Sequence, residues 1–334
     1  MSHQVTIQPS GHQFTVQDGE TVLEAALRED FALPYGCRNG ACGACKGKVL
    51  EGEVDYGAHQ PATLPKDDKA KGLALFCTAK PKTDLIIEVK EIGAAKDIPV
   101  KTLPCRVEKM EKLAADVMAV WLKLPASERL QFLPGQYIDF LLKDGKRRSF
   151  SLANAPEEDQ LLELHIRHVP GGLFTDQVFG GMKAKDILRI KGPQGSFFLR
   201  ESDKPILFLA GGTGFAPIKS ILGHVFHHGI DREMVLYWGA KTLADLYLPA
   251  QPSQWQQEHE NFSFIPVLSE PLPADHWPGR TGLVHQAVLA DIADLSGWQV
   301  YACGAPAMIE AAKHDFLVRG LPEDEFFSDA FSFQ

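Results

Sequence analysis

Three of the six cysteines in this 334-residue chain lie within nine residues, in the glycine-rich stretch 37-CRNGACGACKGK-48. Structural zinc usually takes two separated cysteine pairs, whereas three cysteines in one loop with a distant fourth is a ligand spacing of 2Fe–2S clusters. The glycines between the thiols give the loop the backbone freedom to wrap around a cluster. Zinc and plainly buried thiols are the alternatives. The spacing predicts a 2Fe–2S centre bound by Cys37, Cys42, Cys45 and Cys77.

The segments around this loop predict a small sheet with one helix. Two alternating runs, 5-VTIQP-9 and 13-QFTVQ-17, are typical of a hairpin. The run 21-TVLEAALRED-30 predicts a helix, because its Thr-x-x-Glu start has the form of a capping box. Strand-like runs follow at 46-KGKVLEGEVD-55 and 84-DLIIEV-89. A β-grasp domain with the cysteine loop at its rim accounts for all of these features.

The middle of the chain predicts a barrel or sandwich of short strands. The strand-like runs are 117-VMAVWLKL-124, 136-QYIDFLL-142, 148-RSFSLAN-154 and 162-LELHIRHV-169. In 148-RSFS-151, Arg148 and Phe150 share one face of the strand, whereas Ser149 and Ser151 share the other. In 171-GGLFTDQVF-179, a helix start with a hydroxyl suits a pyrophosphate group. An exposed Arg beside a core Phe, and an ordinary glycine turn with a Thr cap, are the alternatives.

From about residue 201 the pattern changes to alternating strands and helices. The apolar run 206-ILFLA-210 is typical of a strand buried in a parallel sheet. It leads into 211-GGTGFAP-217, a glycine-rich turn that can bind phosphate through backbone amides at a helix start. Strand-then-loop units recur at 234–241, 262–269 and 298–308. The repetition predicts a dinucleotide-binding α/β domain.

Composition and charge limit the class of protein. The length suggests two or three domains, and 45% hydrophobic with 23% charged residues is a globular composition. The net charge of −9 disfavours nucleic-acid binding. The start of the sequence has no signal-peptide pattern, and 205–222, the most apolar segment, is interrupted by glycines and Lys219. Clustered thiols suit a reducing compartment, so a cytoplasmic protein without membrane contact is expected.

Residues 1–92 resemble a plant-type ferredoxin domain. Residues 103–334 resemble the ferredoxin–NADP⁺ reductase superfamily, whose members join an FAD-binding barrel to a nicotinamide domain. The resemblance implies a multi-domain α+β and α/β chain: a β-grasp ferredoxin domain over 1–92, a linker over 93–102, an antiparallel FAD-binding β-barrel over 103–200 and a Rossmann-like NAD(P)H-binding domain over 201–334.

The resemblance also implies roles for individual residues. The R-x-[YF]-S strand and the G-x-x-[ST] turn would bind FAD through Arg148, Ser149, Phe150, Ser151, Gly172 and Thr175. The second glycine turn and the CG-P element would bind the nicotinamide nucleotide through Gly211, Gly212, Thr213, Gly214, Pro217, Gly304 and Pro306. The implied catalytic residues are Ser151, Cys303, Asp329 and Phe331. Plain packing is the alternative for Cys303, and a surface carboxylate is the alternative for Asp329.

Across its whole length the sequence is similar to the CDP-6-deoxy-Δ3,4-glucoseen reductase family, flavin and 2Fe–2S reductases of 3,6-dideoxysugar biosynthesis. Reductase components of phenol, toluene and methane hydroxylases share the architecture. The resemblance implies a monomer that passes electrons from NADH through FAD and the cluster to an acceptor protein, either an iron–sulfur dehydrase or an oxygenase component. A redox sensor is a third alternative.

Two further features of the last third carry weaker signals. Lys241 is the nearest visible cation that could meet a 2′-phosphate, so NADPH stays open, although the resemblance favours NADH. His224, His227 and His228 precede Gly229 at a predicted helix end, where histidines suit the helix dipole without any metal.

Overall fold

The computed structural model describes residues 2–91 and 98–331, and its backbone contacts divide the chain into two units, Met1–Pro99 and Val100–Gln334. Residues 93–97 of the predicted linker, 93–102, lie outside the described residues. Its last two residues, Lys101 and Thr102, begin the first strand of the second unit. Within the described ranges, every helix lacks the length and apolarity that crossing a bilayer requires.

The first unit has the predicted β-grasp arrangement, a five-stranded sheet with one main helix. Its strands are β1 His3–Gln8, β2 Gln13–Val16, β3 Lys46–Glu51, β4 Val54–Asp55, β5 Leu73–Leu75, β6 Lys80–Pro81 and β7 Leu85–Glu88, and its helices are α1 Val22–Arg28 and α2 Lys66–Ala70. The sheet order is β2-β1-β7-β3-β5, and β4 pairs separately with β6. The capping box at α1 is confirmed, because the Thr21 hydroxyl accepts from the Glu24 N–H at 3.2 Å and the Glu24 carboxylate accepts from the Thr21 N–H at 3.0 Å.

The second unit begins with the predicted antiparallel barrel. Its elements are β8 Lys101–Ala114, β9 Val117–Lys123, β10 Tyr137–Leu141, β11 Arg147–Ser151, β12 Leu162–Arg167, α3 Leu173–Gly180 and β13 Ile187–Gln194. The strand order is β11-β10-β13-β8-β9-β12, and a bridge between Leu152 and Leu164 joins the two outer strands. Leu162, Leu164 and Ile166, which alternate along β12, are buried in the barrel core.

A six-stranded parallel sheet completes the second unit and confirms the predicted fold class. Its elements are β14 Ile206–Gly211, α4 Phe215–His227, β15 Met234–Ala240, α5 Ala250–Glu258, β16 Phe262–Leu268, β17 Arg280–Thr281, α6 Val284–Asp291, β18 Gln299–Gly304, α7 Pro306–Val318 and β19 Phe326–Ala330. The order is β17-β16-β15-β14-β18-β19. The chain runs outward from β14 and then returns to β18, so the strand order reverses between these two strands. Ligands of open α/β sheets bind at the carboxyl ends of strands at such a reversal.

Helix α4 packs its side against the barrel through buried polar contacts. The Ser220 hydroxyl donates to the Asn154 carbonyl at 2.7 Å and accepts from the Gly135 N–H at 3.3 Å. Lys219 Nζ lies 2.9 Å from the Glu163 carboxylate. Burial alone would raise the pKa of Glu163, but the hydrogen bond with His165 and the charge of Lys219 outweigh it and lower the pKa to about 2. Glu163 therefore stays ionised and paired with the helix.

Truncating a side chain in the core of the barrel should destabilise the second unit. Leu164 is fully buried among apolar side chains, so Leu164→Ala is expected to lower the free energy of unfolding by about 2–5 kcal/mol. Urea denaturation followed by far-UV circular dichroism measures the change. Leu272→Ala is the matched control, because Leu272 is 53% exposed and the same truncation there opens no cavity. Equal losses in the two variants would contradict the assignment of Leu164 to the core.

Candidate functional site

The four predicted cluster ligands lie together in the first unit: Cys37, Cys42 and Cys45 come from the cysteine loop, and Cys77 follows β5. All six cysteines of the chain are free thiols, so no disulfide competes for these sulfurs. Backbone N–H groups of Ala41 and Cys42 donate to Cys37 Sγ at 3.4 and 3.3 Å, and the Cys37 N–H donates to Cys42 Sγ at 3.3 Å. N–H groups aimed at thiolate sulfurs are the surroundings that an iron–sulfur cluster requires.

The thiols of the loop also act on one another's ionisation. A hydrogen bond between the Cys37 and Cys42 thiols lowers the pKa of Cys37 to about 6 and raises that of Cys42. A second hydrogen bond, between Cys45 and Cys77, lowers the pKa of Cys77 and raises that of Cys45. Negative charge on Cys37 opposes this change, because it raises the pKa of Cys77. The four sulfurs form one group, and the donor set fits a 2Fe–2S cluster.

Close packing under the loop explains one of its glycines. Gly40 has φ +76°, and a Cβ there would lie 2.8 Å from His59 Cβ and 2.9 Å from the Ala58 carbonyl oxygen. The Gln60 N–H donates to the Gly40 carbonyl at 3.2 Å. Only glycine meets both the left-handed backbone and the close approach at this position.

The predicted FAD-binding strand is β11, and it pairs with β10 in the barrel. Phe150 is half-buried and packs against Phe140 and Phe174, with ring centroids 5.9 and 5.4 Å apart. Ser151 is buried. The hydroxyl of Ser149 donates to Asp139 at 2.6 Å. Arg148 and Phe150 alternate with the two serines, as predicted, and Ser149 is engaged by a barrel carboxylate.

The second predicted flavin element is the turn before α3, where the alternative interpretation, a Thr cap on an ordinary glycine turn, does not apply. Gly172 is the N-cap residue of α3, and the Thr175 hydroxyl lies in the first turn. That hydroxyl donates to the Val169 carbonyl at 2.9 Å and accepts from the Val169 N–H at 3.2 Å. Thr175 therefore holds the turn in shape, while the helix start itself carries the backbone N–H groups that suit a pyrophosphate.

The glycine turn Gly211–Gly214 lies at the strand reversal, between the ends of β14 and β18. A Cβ on Gly214 would lie 2.0 Å from the Cys303 carbonyl oxygen, and a Cβ on Gly211 would lie 2.6 Å from Met308 Sδ. Trp238 Nε1 donates to the Gly212 carbonyl at 2.9 Å. Thr213 is buried within the turn, and Pro217 is the third residue of α4. The turn is therefore formed by closely packed backbone, and side chains at Gly211 or Gly214 would overlap their neighbours.

Three of the four predicted catalytic residues lie together beside this turn. Cys303 and Asp329 are opposite each other in the parallel pair of β18 and β19, and the Phe331 N–H donates to the Gly304 carbonyl at 2.9 Å. Cys303 is fully buried, and burial and then the Asp329 charge raise the pKa of its thiol. Pro306 begins α7 directly after Gly304 and Ala305. The fourth residue, Ser151, lies on β11 of the barrel.

Arg167 is a candidate site residue that the sequence interpretation missed. It ends β12, and its guanidinium lies across the glycine turn, where a Cβ on Gly212 would be 3.2 Å from Nη2. Its Nε and Nη2 atoms are buried and make no hydrogen bond, although Asp116 lies 3.5 Å away. Guanidinium donors that make no hydrogen bond, beside a turn suited to phosphate, fit a bound dinucleotide. The only signal in the sequence was a cation at the end of a strand, just before the turn at Gly171 and Gly172.

Models of three domain families match successive parts of the chain. A 2Fe-2S iron-sulfur cluster binding domain matches residues 5–82, an oxidoreductase FAD-binding domain matches 104–199, and an oxidoreductase NAD-binding domain matches 208–314. The fold and the site thus define an oxidoreductase that uses NAD, FAD and a 2Fe–2S cluster.

Comparisons with whole proteins agree with this class. The chain is 43% identical over 331 residues to the CDP-6-deoxy-L-threo-D-glycero-4-hexulose-3-dehydrase reductase of Yersinia pestis, covering 99% of each protein. It is 35% identical to the reductase component DmpP of phenol 2-monooxygenase from Pseudomonas sp. strain CF600, covering 99% of this chain and 95% of that protein. The crystal structure of the Amycolatopsis reductase GcoB matches with a TM-score of 0.79 at 35% identity, covering 98% of both chains. The chain belongs to this family of flavin and iron–sulfur reductases.

The chemistry of the site follows from what each cofactor exchanges. Bound FAD accepts a hydride from a nicotinamide and releases electrons singly, which joins a two-electron donor to a one-electron cluster. In the second unit, β11 and the start of α3 are the elements available to FAD, and the Gly211–Gly214 turn is available to the dinucleotide. In the first unit, Cys37, Cys42, Cys45 and Cys77 would hold the cluster, with the N–H groups of the cysteine loop directed at their sulfurs.

Filling the glycine turn should weaken nucleotide binding. In Gly214→Ala the new methyl would overlap the Cys303 carbonyl oxygen, so the backbone must move. We expect a higher KM for NADH, measured with ferricyanide as acceptor, and a loss of about 1–3 kcal/mol in stability. Gly297→Ala is the matched control, because nothing lies within 4 Å of its added Cβ. An unchanged KM in Gly214→Ala would show that the turn does not bind the nucleotide.

Removing the Arg167 cation should also weaken dinucleotide binding. Arg167→Gln is expected to raise the Kd for NAD⁺ about tenfold, because it removes one charge-assisted hydrogen bond that contributes about 1.5 kcal/mol to binding. Equilibrium titration followed by flavin absorbance measures this Kd. Arg189→Gln changes an exposed arginine on β13 and should leave the Kd unchanged. If both variants bind NAD⁺ like the wild type, Arg167 has no role at the turn.

Proposed function

We propose that this chain is the reductase of a sugar 3-dehydrase, delivering electrons from NADH through FAD and the 2Fe–2S cluster to a dehydrase that acts on a CDP-linked 4-keto-6-deoxyhexose. One observation carries the proposal: the 43% identity over 331 residues to a reductase whose name specifies that dehydrase. The acceptor is a separate protein. We also propose that the reductase is cytoplasmic, because free clustered thiols suit a reducing compartment. We further propose that it is a monomer.

A reductase component of an oxygenase is the second candidate. The 35% identity to a phenol 2-monooxygenase reductase component, over 99% of this chain, supports it. Both candidates use the same internal electron path, and they differ only in the acceptor protein. We rank the oxygenase partner second because the identity to that reductase is lower.

A coupled reaction distinguishes the two candidates. Purified holoprotein, NADH, a CDP-hexulose 3-dehydrase and its CDP-4-keto-6-deoxyglucose substrate are combined, and formation of the 3-deoxygenated sugar is followed. We expect product at the rate of NADH consumption. NADH oxidation with dye acceptors but without sugar product would reject the dehydrase partner and favour the oxygenase component.

We assign the site roles by combining the geometry with the family resemblance. Arg148, Phe150 and Ser151, with Gly172 and Thr175 at the turn before α3, are proposed to hold FAD. The Gly211–Gly214 turn, Pro217, Gly304 and Pro306 are proposed to hold the nicotinamide nucleotide. Cys303, Asp329, Phe331 and Ser151 are proposed to surround the reacting rings. Ser149 is proposed to act through Asp139, because its hydroxyl donates to that carboxylate.

NADH is the proposed donor in preference to NADPH. Lys241, the cation that could meet a 2′-phosphate, lies 4.0 Å from Glu270, and both side chains are well exposed. A carboxylate at that distance from Lys241 opposes the binding of the 2′-phosphate of NADPH. The ratio of kcat/KM for NADH to that for NADPH tests this proposal, and a ratio below one would reverse it.

Loss of one cluster ligand should separate hydride transfer from one-electron delivery. Cys42→Ser removes a thiolate that the cluster needs, so electron delivery to the partner protein is expected to fall to background, while reduction of FAD by NADH continues. Stopped-flow flavin absorbance and partner reduction measure the two steps. Cys105→Ala, which removes a buried thiol of the barrel, is the control and should keep both. Full transfer to the partner by Cys42→Ser would disprove the path through the cluster.

A further inference from the structure

A second group of side chains that could bind a metal ion lies in the second unit, outside the sites assigned above. Glu157, His224 and His228 each offer one ligand atom, and these atoms all lie within 4.8 Å of one another. His224 Nδ1 is 2.8 Å and His228 Nε2 is 2.9 Å from the same oxygen, Glu157 Oε1. His224 is ten residues beyond the glycine turn, about 15 Å along the helix. The group is therefore separate from the dinucleotide cradle.

Helix periodicity and chain topology bring these three side chains together. His224 and His228 are four residues apart at the end of α4, so they share one face of the helix. Their ring centroids are 4.4 Å apart. Glu157 comes from the barrel, in the short helical turn Pro156–Glu158. Two histidines at this helical spacing with a carboxylate from another element form a familiar arrangement of zinc ligands.

One carboxylate oxygen of this group lacks a hydrogen-bond partner. Glu157 Oε2 is buried and makes no hydrogen bond, whereas both histidine nitrogens approach Oε1. A buried carboxylate oxygen without a partner is costly. A cation coordinated by the two rings and by both oxygens of this carboxylate would give Oε2 a partner and remove that cost, which is an independent reason to expect a ligand here.

The backbone on both sides of the group is firmly held. Asn154 Nδ2 donates to the carbonyls of Ala155 and Glu158, both at 3.1 Å. A Cβ on Gly223, the residue before His224, would lie 3.2 Å from Ala155 Cβ, so helix and turn are in close contact. Ligands presented from such fixed elements need little rearrangement to bind a metal.

We propose that Glu157, His224 and His228 bind one Zn²⁺ ion, which ties the end of α4 to the barrel. Two imidazole nitrogens and one carboxylate group are a zinc donor set, whereas Mg²⁺ and Ca²⁺ prefer oxygen ligands throughout. Bond lengths of about 2.0–2.1 Å require the donors to separate by roughly half an ångström from their present contacts. The His228 side chain is 48% exposed, which leaves a fourth position open to water.

Zinc at this position should stabilise the folded second unit. The ion would join Glu157 of the barrel to two histidines at the end of α4. It would bind the native arrangement in preference to the unfolded chain. Binding of that kind stabilises the native state by RT ln(1 + [L]/Kd), so Tm rises with the logarithm of the zinc concentration above Kd. The proposal does not depend on which acceptor protein receives the electrons.

The test uses tag-free holoprotein with FAD and the iron–sulfur cluster in place, so that the loop cysteines are already occupied. Trace metal is removed with a chelator, and Zn²⁺ is titrated in competition with a chromophoric chelator while Tm is recorded. We expect one Zn²⁺ per chain and a Tm that rises with zinc. His224→Gln and Glu157→Gln should each raise the Kd for zinc by at least about tenfold and remove the rise in Tm.

His227→Gln is the matched control, because His227 is an exposed histidine on the same helix but lies outside the ligand group. It should bind zinc like the wild type. Flavin absorbance and circular dichroism confirm that each variant is folded, and Glu157→Gln changes the carboxylate with the least alteration of shape. Zinc binding that survives in both His224→Gln and Glu157→Gln, or no zinc binding by the wild type, would overturn the proposal.

Discussion

The packing of α4 against the barrel is the constraint on which the second unit depends. The helix begins at the glycine turn proposed for the dinucleotide, and its side is held to the barrel by Ser220, Lys219 and the close contact at Gly223. A hydride can pass only between rings held at near contact. Fixing the helix to the barrel therefore fixes the nucleotide cradle relative to the strand that carries Phe150 and Ser151.

The two units divide the chemistry between them. The first unit uses backbone geometry, because N–H groups and left-handed glycines shape the loop around four mutually interacting thiols. The second uses a strand reversal, which places the glycine turn, Cys303 and Asp329 at adjacent strand ends. Each arrangement occurs in other folds and functions. Their combination in one chain, together with family membership, defines the electron-transfer reductase.

Much of this could be predicted because local signals agreed with the fold. Cysteine spacing, the Thr21–Glu24 capping box and the apolar run at 206–210 each specify a structure within a few residues. Strands β8 and β13 were not predicted, because Pro104 and charged residues interrupt β8 and 192-GP-193 interrupts β13. The placement of Arg167 beside the Gly211–Gly214 turn and the pairing of Glu157 with His224 depend on tertiary contacts between distant segments, which local patterns do not specify.

The most direct test of the electron path is an anaerobic titration of the wild-type holoprotein with NADH. Flavin absorbance reports the first acceptor, and low-temperature electron paramagnetic resonance reports the reduced 2Fe–2S cluster. The account predicts that NADH bleaches the flavin and that the cluster signal then appears without any added mediator. A cluster that stays oxidised under NADH, although dithionite reduces it, would contradict an internal path from the nicotinamide to the cysteine loop.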